Sequence, residues 1–129
     1  TITEADIVLF SGVTGDMNPV HVNEEFAADT MFKGRIAHGM LTASLISTVL
    51  GMKMPGPGCI YLSQDLKFLA PVRPGDTVTA KAVILEIIPE KKRIVCKTTA
   101  SVGEKLVCDG QAKMMVRSRV EEEAKAAKA

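Results

Sequence analysis

Tryptophan is absent from this 129-residue sequence and tyrosine occurs once, so aromatic residues make up only 4% of it. So few rings cannot build stacking platforms for bases or sugars in number. An excess of charge of one sign is missing too: 16 Lys and Arg face 15 Asp and Glu, for a net charge of +1 and a pI near 7.6. That balance produces no long-range field to hold a phosphate backbone or an anionic membrane surface, and neither nucleic acid nor membrane is expected as a partner. Cysteine is scarce and odd in number. Cys59, Cys96 and Cys108 are widely spaced, lack the paired short spacing of zinc sites, and read as buried thiols in a reducing compartment. No leader of basic, then apolar, then small residues opens the sequence, and its most apolar stretch, Met40 to Met52, is shorter than the ~20 residues a bilayer requires. A soluble, cytoplasmic protein is expected.

What is abundant is aliphatic: 47% of residues are apolar, enough for one real core. The length suits a single domain, placed at residues 1–120. Thr3, with Asp6 three residues on, predicts the capped start of a short amphipathic helix that Gly12 and Gly15 interrupt. Asn18-Pro19 reads as a turn, and Asn23 before Glu24 and Glu25 as the cap of a second short helix to about Ala28. Between Gly39 and Gly51 the residues are apolar nearly all round, which predicts a buried helix, and Met54-Pro55-Gly56-Pro57-Gly58 then forces a loop. Beyond it the period becomes two. Ile60 to Phe68, Thr77 to Ile88, Ile94 to Val102 and Leu106 to Val116 read as four strands, the first half buried, joined by turns at Pro74-Gly75-Asp76, Pro89 to Lys92 and Gly103-Glu104. Four such strands in succession predict an antiparallel meander, and the order of elements an α+β fold with a sheet curled around one central helix. Residues 121–129 read as a polar tail without chemistry, a frayed helix or disordered, with Glu121 placed to pair with Lys125 one helical turn on.

The chain has two histidines, and His21 lies in the most informative stretch, Gly15-Asp16-Met17-Asn18-Pro19-Val20-His21. Gly15 permits a sharp bend and Asn18-Pro19 turns the chain back, so that the Asp16 carboxylate and the His21 imidazole can face one point, as proton transfer requires. The same residues would also suit an Asx turn with a hydrogen-bonded structural histidine. In Ala37-His38-Gly39-Met40 the glycine falls where the buried helix begins. First-turn amides lack helical partners, so Gly39 N–H can donate to a developing oxyanion; alternatively Gly39 only permits close packing. Asp16, His21 and His38 also form a nominal two-histidine, one-carboxylate set, but their separation fits no compact ligand motif and no metal is expected. No serine elbow or Cys-His motif suggests a covalent nucleophile.

Phe10, Val13, Thr14, Gly15, Asp16, Asn18, Pro19, Val20, His21 and Ala27 match the hydratase 2 motif throughout. On these residues, with Ala37 to Leu41 and the Gly75-Asp76 turn, the chain resembles the MaoC-like family of single-domain (R)-specific enoyl-CoA hydratases over nearly its whole length. The resemblance implies a hot-dog fold assembled as a homodimer by joining two sheets edge to edge. It implies reversible hydration of a trans-2-enoyl-CoA to an (R)-3-hydroxyacyl-CoA without a cofactor, with Asp16 and His21 holding the water and Gly39 donating to the carbonyl oxygen. Asn18 then fixes the loop beside the substrate, and Ser47 and Leu50, one turn apart, border a slot for the acyl chain. Lys33, Arg35, Lys67 and Arg73 are compositional candidates for the CoA phosphates, and His38 receives no role. A hot-dog thioesterase and a non-catalytic acyl-thioester-binding protein are the alternative readings.

Overall fold

The computed structural model describes residues 1–128. Thr3 starts helix α1, Glu4–Thr14, with a capping box: its hydroxyl accepts from the Asp6 amide at 3.2 Å, and the Asp6 carboxylate accepts from the Thr3 amide at 2.9 Å. These bonds hold the Asp6 carboxyl below the usual carboxylate range. Gly15 ends the helix at φ 77°, a left-handed conformation that side chains resist, and its amide donates to the Ser11 carbonyl at 2.9 Å. Asn18-Pro19 is not the plain turn its residue types suggest. The Asn18 side chain accepts from the Val20 amide at 3.2 Å and caps a four-residue helix α2, Pro19–Val22. Proline at a helix start has no amide to leave unpaired and a suitable φ, so the pair opens a helix as readily as it makes a turn. Asn23 then caps α3, Glu24–Ala28, by accepting from the Phe26 amide at 3.0 Å.

Helix α4, Gly39–Met52, packs against the sheet. It buries Leu41, Thr42, Ala43, Ile46 and Leu50, whereas Met40, Ser44, Ser47, Thr48 and Met52 face outward. The expectation of burial all round therefore holds for one side only. The sheet is antiparallel and has five strands: β1, Ile60–Gln64; β2, Lys67–Phe68; β3, Val78–Ile88; β4, Arg93–Val102; and β5, Lys105–Met115. β3, β4 and β5 follow one another as the expected meander, but the first predicted strand does not lie beside the second. It breaks into β1 and β2, and both pair with β5, giving the order β1-β5-β4-β3 with β2 also on β5. The connection from β2 to β3 carries Pro71 and Pro74, too long and too poor in amides for a hairpin. At the break, a Cβ on Gly110 would come 1.9 Å from the Asp65 carbonyl oxygen, so only glycine lets the two backbones approach. Ile60, Leu62 and Phe68 are exposed, so this segment is not half buried as expected.

The core lies between α4 and the sheet. Ile94, Cys96 and Ala100 of β4 and Val107, Cys108, Ala112 and Met114 of β5 meet Ile7, Leu41, Ile46 and Leu50 from the helices. Each fully buried Ile or Leu there contributes ~1.5–3 kcal/mol. Cys96 and Cys108 are buried free thiols whose burial pushes them above their ordinary range, and Cys59 is partly buried. An antiparallel sheet laid against one long helix is the hot-dog arrangement, α+β. Among the described residues no helix is long and apolar enough to cross a membrane. The segment read as a tail forms helix α5, Arg119–Lys128, wholly exposed, and Ala129 lies outside the described residues. Glu121 pairs with Lys92 rather than with Lys125, which fastens α5 to the turn after β3.

Candidate active site

Asp16 lies between α1 and α2, and its carboxylate accepts from the Asn18 amide at 3.2 Å, an Asx turn that leads into the Asn18 cap. His21, in α2, is 7% exposed. Its Nδ1 donates to the Ile36 carbonyl at 2.8 Å; a carbonyl can only accept, so Nδ1 carries a hydrogen, and in the neutral imidazole Nε2 keeps the lone pair. The Ile36 amide in turn donates to the Val20 carbonyl at 3.2 Å, and the Ala37 amide to the Val72 carbonyl at 2.7 Å. The strip before α4 is thus pinned to α2 on one side and to the β2–β3 connection on the other.

Arg35 reinforces this strip. Its guanidinium donates to both carboxylate oxygens of Glu4 and, at 3.3 Å, to Glu24, joining α1, α3 and the strip. The bonds hold the Glu4 carboxyl below, and the Arg35 guanidinium above, their ordinary ranges. Arg35 is therefore committed inside the protein rather than offered to a phosphate, and Arg73 is bound to the Phe32 carbonyl.

Gly39 opens α4, and its amide, the first of the helix, makes no hydrogen bond among the described residues. A Cβ there would come 2.8 Å from Cδ1 and Cε1 of Phe68, so the glycine also lets that ring lie against the helix start. Both readings of Gly39 thus have a basis in one place. Asp16, His21, His38, Gly39, Thr42 and Phe68 face a cavity of about 470 Å³ whose remaining walls include Met31, Phe32, Leu69, Val72 and Val107. A few polar groups converge at one end of a largely apolar pocket, as in a site for a ligand with a reactive head and an apolar tail.

One candidate ligand atom from each of Asp16, His21 and His38 lies within 4.8 Å of the other two. The two imidazoles, however, are stacked, with centroids 3.9 Å apart and planes at 29°. Of their four ring nitrogens, His21 Nδ1 and His38 Nε2 are already committed to carbonyls.

Ser47 and Leu50 do not line this cavity. Ser47 borders a second, apolar groove of about 480 Å³ with Phe10, Ala43, Tyr61, Leu62 and Leu66, and Met40 stands on the wall of both. Leu50 is fully buried in the core. Asn18 is exposed and acts on the loop as a cap. Sequence reading missed Phe68, Thr42 and the Ile36 carbonyl. The glycine in a Gly-Met-Leu helix start was the only available signal of a ring pressed against it.

A family model described as a MaoC like domain matches residues 1–106. The chain is 56% identical to the (R)-specific enoyl-CoA hydratase of Rhodospirillum rubrum over 92% of this chain and 83% of that protein. It is 51% identical to the 3-hydroxybutyryl-CoA dehydratase of Methylorubrum extorquens over 93% of this chain and 76% of that protein. Among solved structures, the (R)-hydratase of A. caviae involved in PHA biosynthesis superposes with a TM-score of 0.87 at 38% identity, covering 90% of this chain and 89% of that one. Motif, fold and identity over almost the whole length agree, and the chain belongs to the MaoC-like domain family.

Proposed function

We propose that this protein is an (R)-specific enoyl-CoA hydratase, a hydro-lyase that adds water reversibly across a trans-2-enoyl-CoA to give the (R)-3-hydroxyacyl-CoA. The observation that carries the reading is the convergence of the Asp16 carboxylate, the bare Nε2 of His21 and the unpaired Gly39 amide on one cavity. In the hydration direction, Asp16 and His21 hold a water molecule; one of its hydrogens passes to this pair as its oxygen bonds to C3. The electron pair of the alkene moves toward the thioester, whose oxygen takes negative charge and is stabilised by the Gly39 N–H, and C2 then receives a proton from the pair. No cofactor enters this balance. One short stretch, Asp16 to His21, supplies both proton-handling groups, which favours addition to one face of the alkene.

The acyl chain runs from the cavity past Met40 toward the groove bordered by Ser47, with Leu50 one turn behind it, and Asn18 holds the loop at the entrance. The functional unit is a homodimer. Two features of one protomer support that: β3 is an edge strand of 11 residues, and Val83, Leu85 and Ile87 on it are exposed. Residues 1–120 act as one domain with 121–129 as a tail outside the chemistry, in the cytoplasm. The test is loss of enoyl absorbance with crotonyl-CoA and chiral analysis of the product. Formation of (R)-3-hydroxybutyryl-CoA is expected; release of free CoA, or binding without turnover, overturns the reading.

A further inference from the structure

His38 is 2% exposed and opens α4, yet its side chain makes no capping hydrogen bond with that helix. Its ring is turned instead toward the Asp16 loop. Nε2 donates to the Asp16 carbonyl at 3.0 Å and lies 3.1 Å from Oγ of Ser11, itself fully buried. One face stacks on His21, and Phe10 meets the ring edge-on at a centroid distance of 4.9 Å. Asp16 belongs to no helix, so its carbonyl has no helical amide to accept from, and the imidazole supplies that donor. Nδ1 is buried with no partner, a standing cost that a plain aliphatic filler would avoid.

We infer that His38 is a positioning residue that clamps the Asp16 backbone through Nε2–H and the His21 imidazole through stacking, and so sets both against the amide of the next residue, Gly39. The inference rests on the hydratase reading for what the clamped groups do. Its physical content is separate: one side chain couples the start of α4 to the loop on the other side of the cavity. Without the clamp the carboxylate and the imidazole remain present but lose their fixed separation from the oxyanion donor, and misplacement of about 1 Å is enough to cost ~10²-fold in rate.

Two amides of different reach test the clamp. The His38→Gln side chain places a donor near the position of Nε2, whereas that of His38→Asn ends near Nδ1 and falls short of the Asp16 carbonyl. For crotonyl-CoA hydration, His38→Asn is expected to lower kcat by ~10- to 100-fold with KM within about threefold of wild type, and His38→Gln to recover most of that loss. Equal kcat for the two variants, at wild-type or at reduced level, overturns the inference, as does a loss confined to thermal stability. A measurement on the unmodified protein stands apart from folding of the variants: long-range ¹⁵N–¹H correlation is expected to show His38 as the Nε2–H tautomer and His21 as the Nδ1–H tautomer. His38 found as Nδ1–H overturns the clamp whatever the enzyme does. Wild-type protein that fails to hydrate any enoyl-CoA overturns the hydratase reading, while the tautomer result still decides the clamp.

Discussion

Residues 11–42 and the β3–β5 meander fold by opposite rules. Among the described residues the buried polar side chains are Ser11, His21, His38, Thr42 and Thr98, so the loop-and-helix segment holds all but one of them, and the sheet only Thr98. β4 and β5 face the core with Ile94, Cys96, Ala100, Val107, Ala112 and Met114 and draw their order from ladder hydrogen bonds. The segment has no ladder; capping side chains, a histidine on a carbonyl and Arg35 between two carboxylates do that work. A scaffold tolerant of apolar exchange thus carries a cap ordered by side-chain hydrogen bonds to specific partners, so damage to the cap is expected to appear in activity and damage to the sheet in stability.

The sharpest break in that comparison is expected at Asp16 and His21, the pair proposed to handle the proton. Asp16→Asn or His21→Ala is expected to lower kcat for crotonyl-CoA by ~10²- to 10⁴-fold while the circular dichroism spectrum and melting temperature stay near wild type. Near-normal turnover by either purified variant would remove the pair from the mechanism. The mirror experiment is Met114→Ala in β5, 1% exposed: unfolding in urea should show a loss of ~2–5 kcal/mol, with kcat per folded molecule little changed. A third substitution probes the boundary. Gly39→Ala keeps the amide but drives a methyl into the Phe68 ring, at a cost of ~1–3 kcal/mol. Activity should fall, and Phe68→Leu in the same chain should restore part of it. No restoration would mean that the ring is not what excludes a side chain there.

The smallest effect concerns pH. Glu4 is held below its ordinary range chiefly by its hydrogen bond to Arg35, so its contribution to folding is complete above the unfolded carboxylate range and fades as pH falls through the lowered value. Because Glu4 is largely exposed, solvent screening keeps that contribution under ~1 kcal/mol. Glu4→Gln should therefore narrow the difference in melting temperature between neutral and acidic pH slightly.

Local signals were legible where a single side chain decides a local event. Thr3 with Asp6, and Asn23 before Glu24, mark helix starts that the structure has at those residues. The strands β3, β4 and β5 lie within two residues of the predicted runs because their connections are short and their partners adjacent. The partner of β1 was not legible, since it lies across the whole length of β3 and β4 in the chain and nothing in Ile60–Gln64 encodes it. The Asp16-to-His21 stretch was readable as chemistry because its polar residues crowd one short loop. His38 was not, because its meaning depends on a ring stacked from a distant position and a carbonyl that any residue could have supplied.

Among the described residues β5 follows β1 to β4 in the chain, and it is also the one on which β1, β2 and β4 all pair. Val107, on that strand, and Phe68, in the strand it holds, are walls of the cavity. A nascent chain can form its capped helices early, but it has no complete pocket until β5 emerges and locks between its neighbours. Acquisition of the cavity is thereby tied to completion of the sheet, and a product truncated before β5 carries the Asp16–His21 stretch with no enclosure around it.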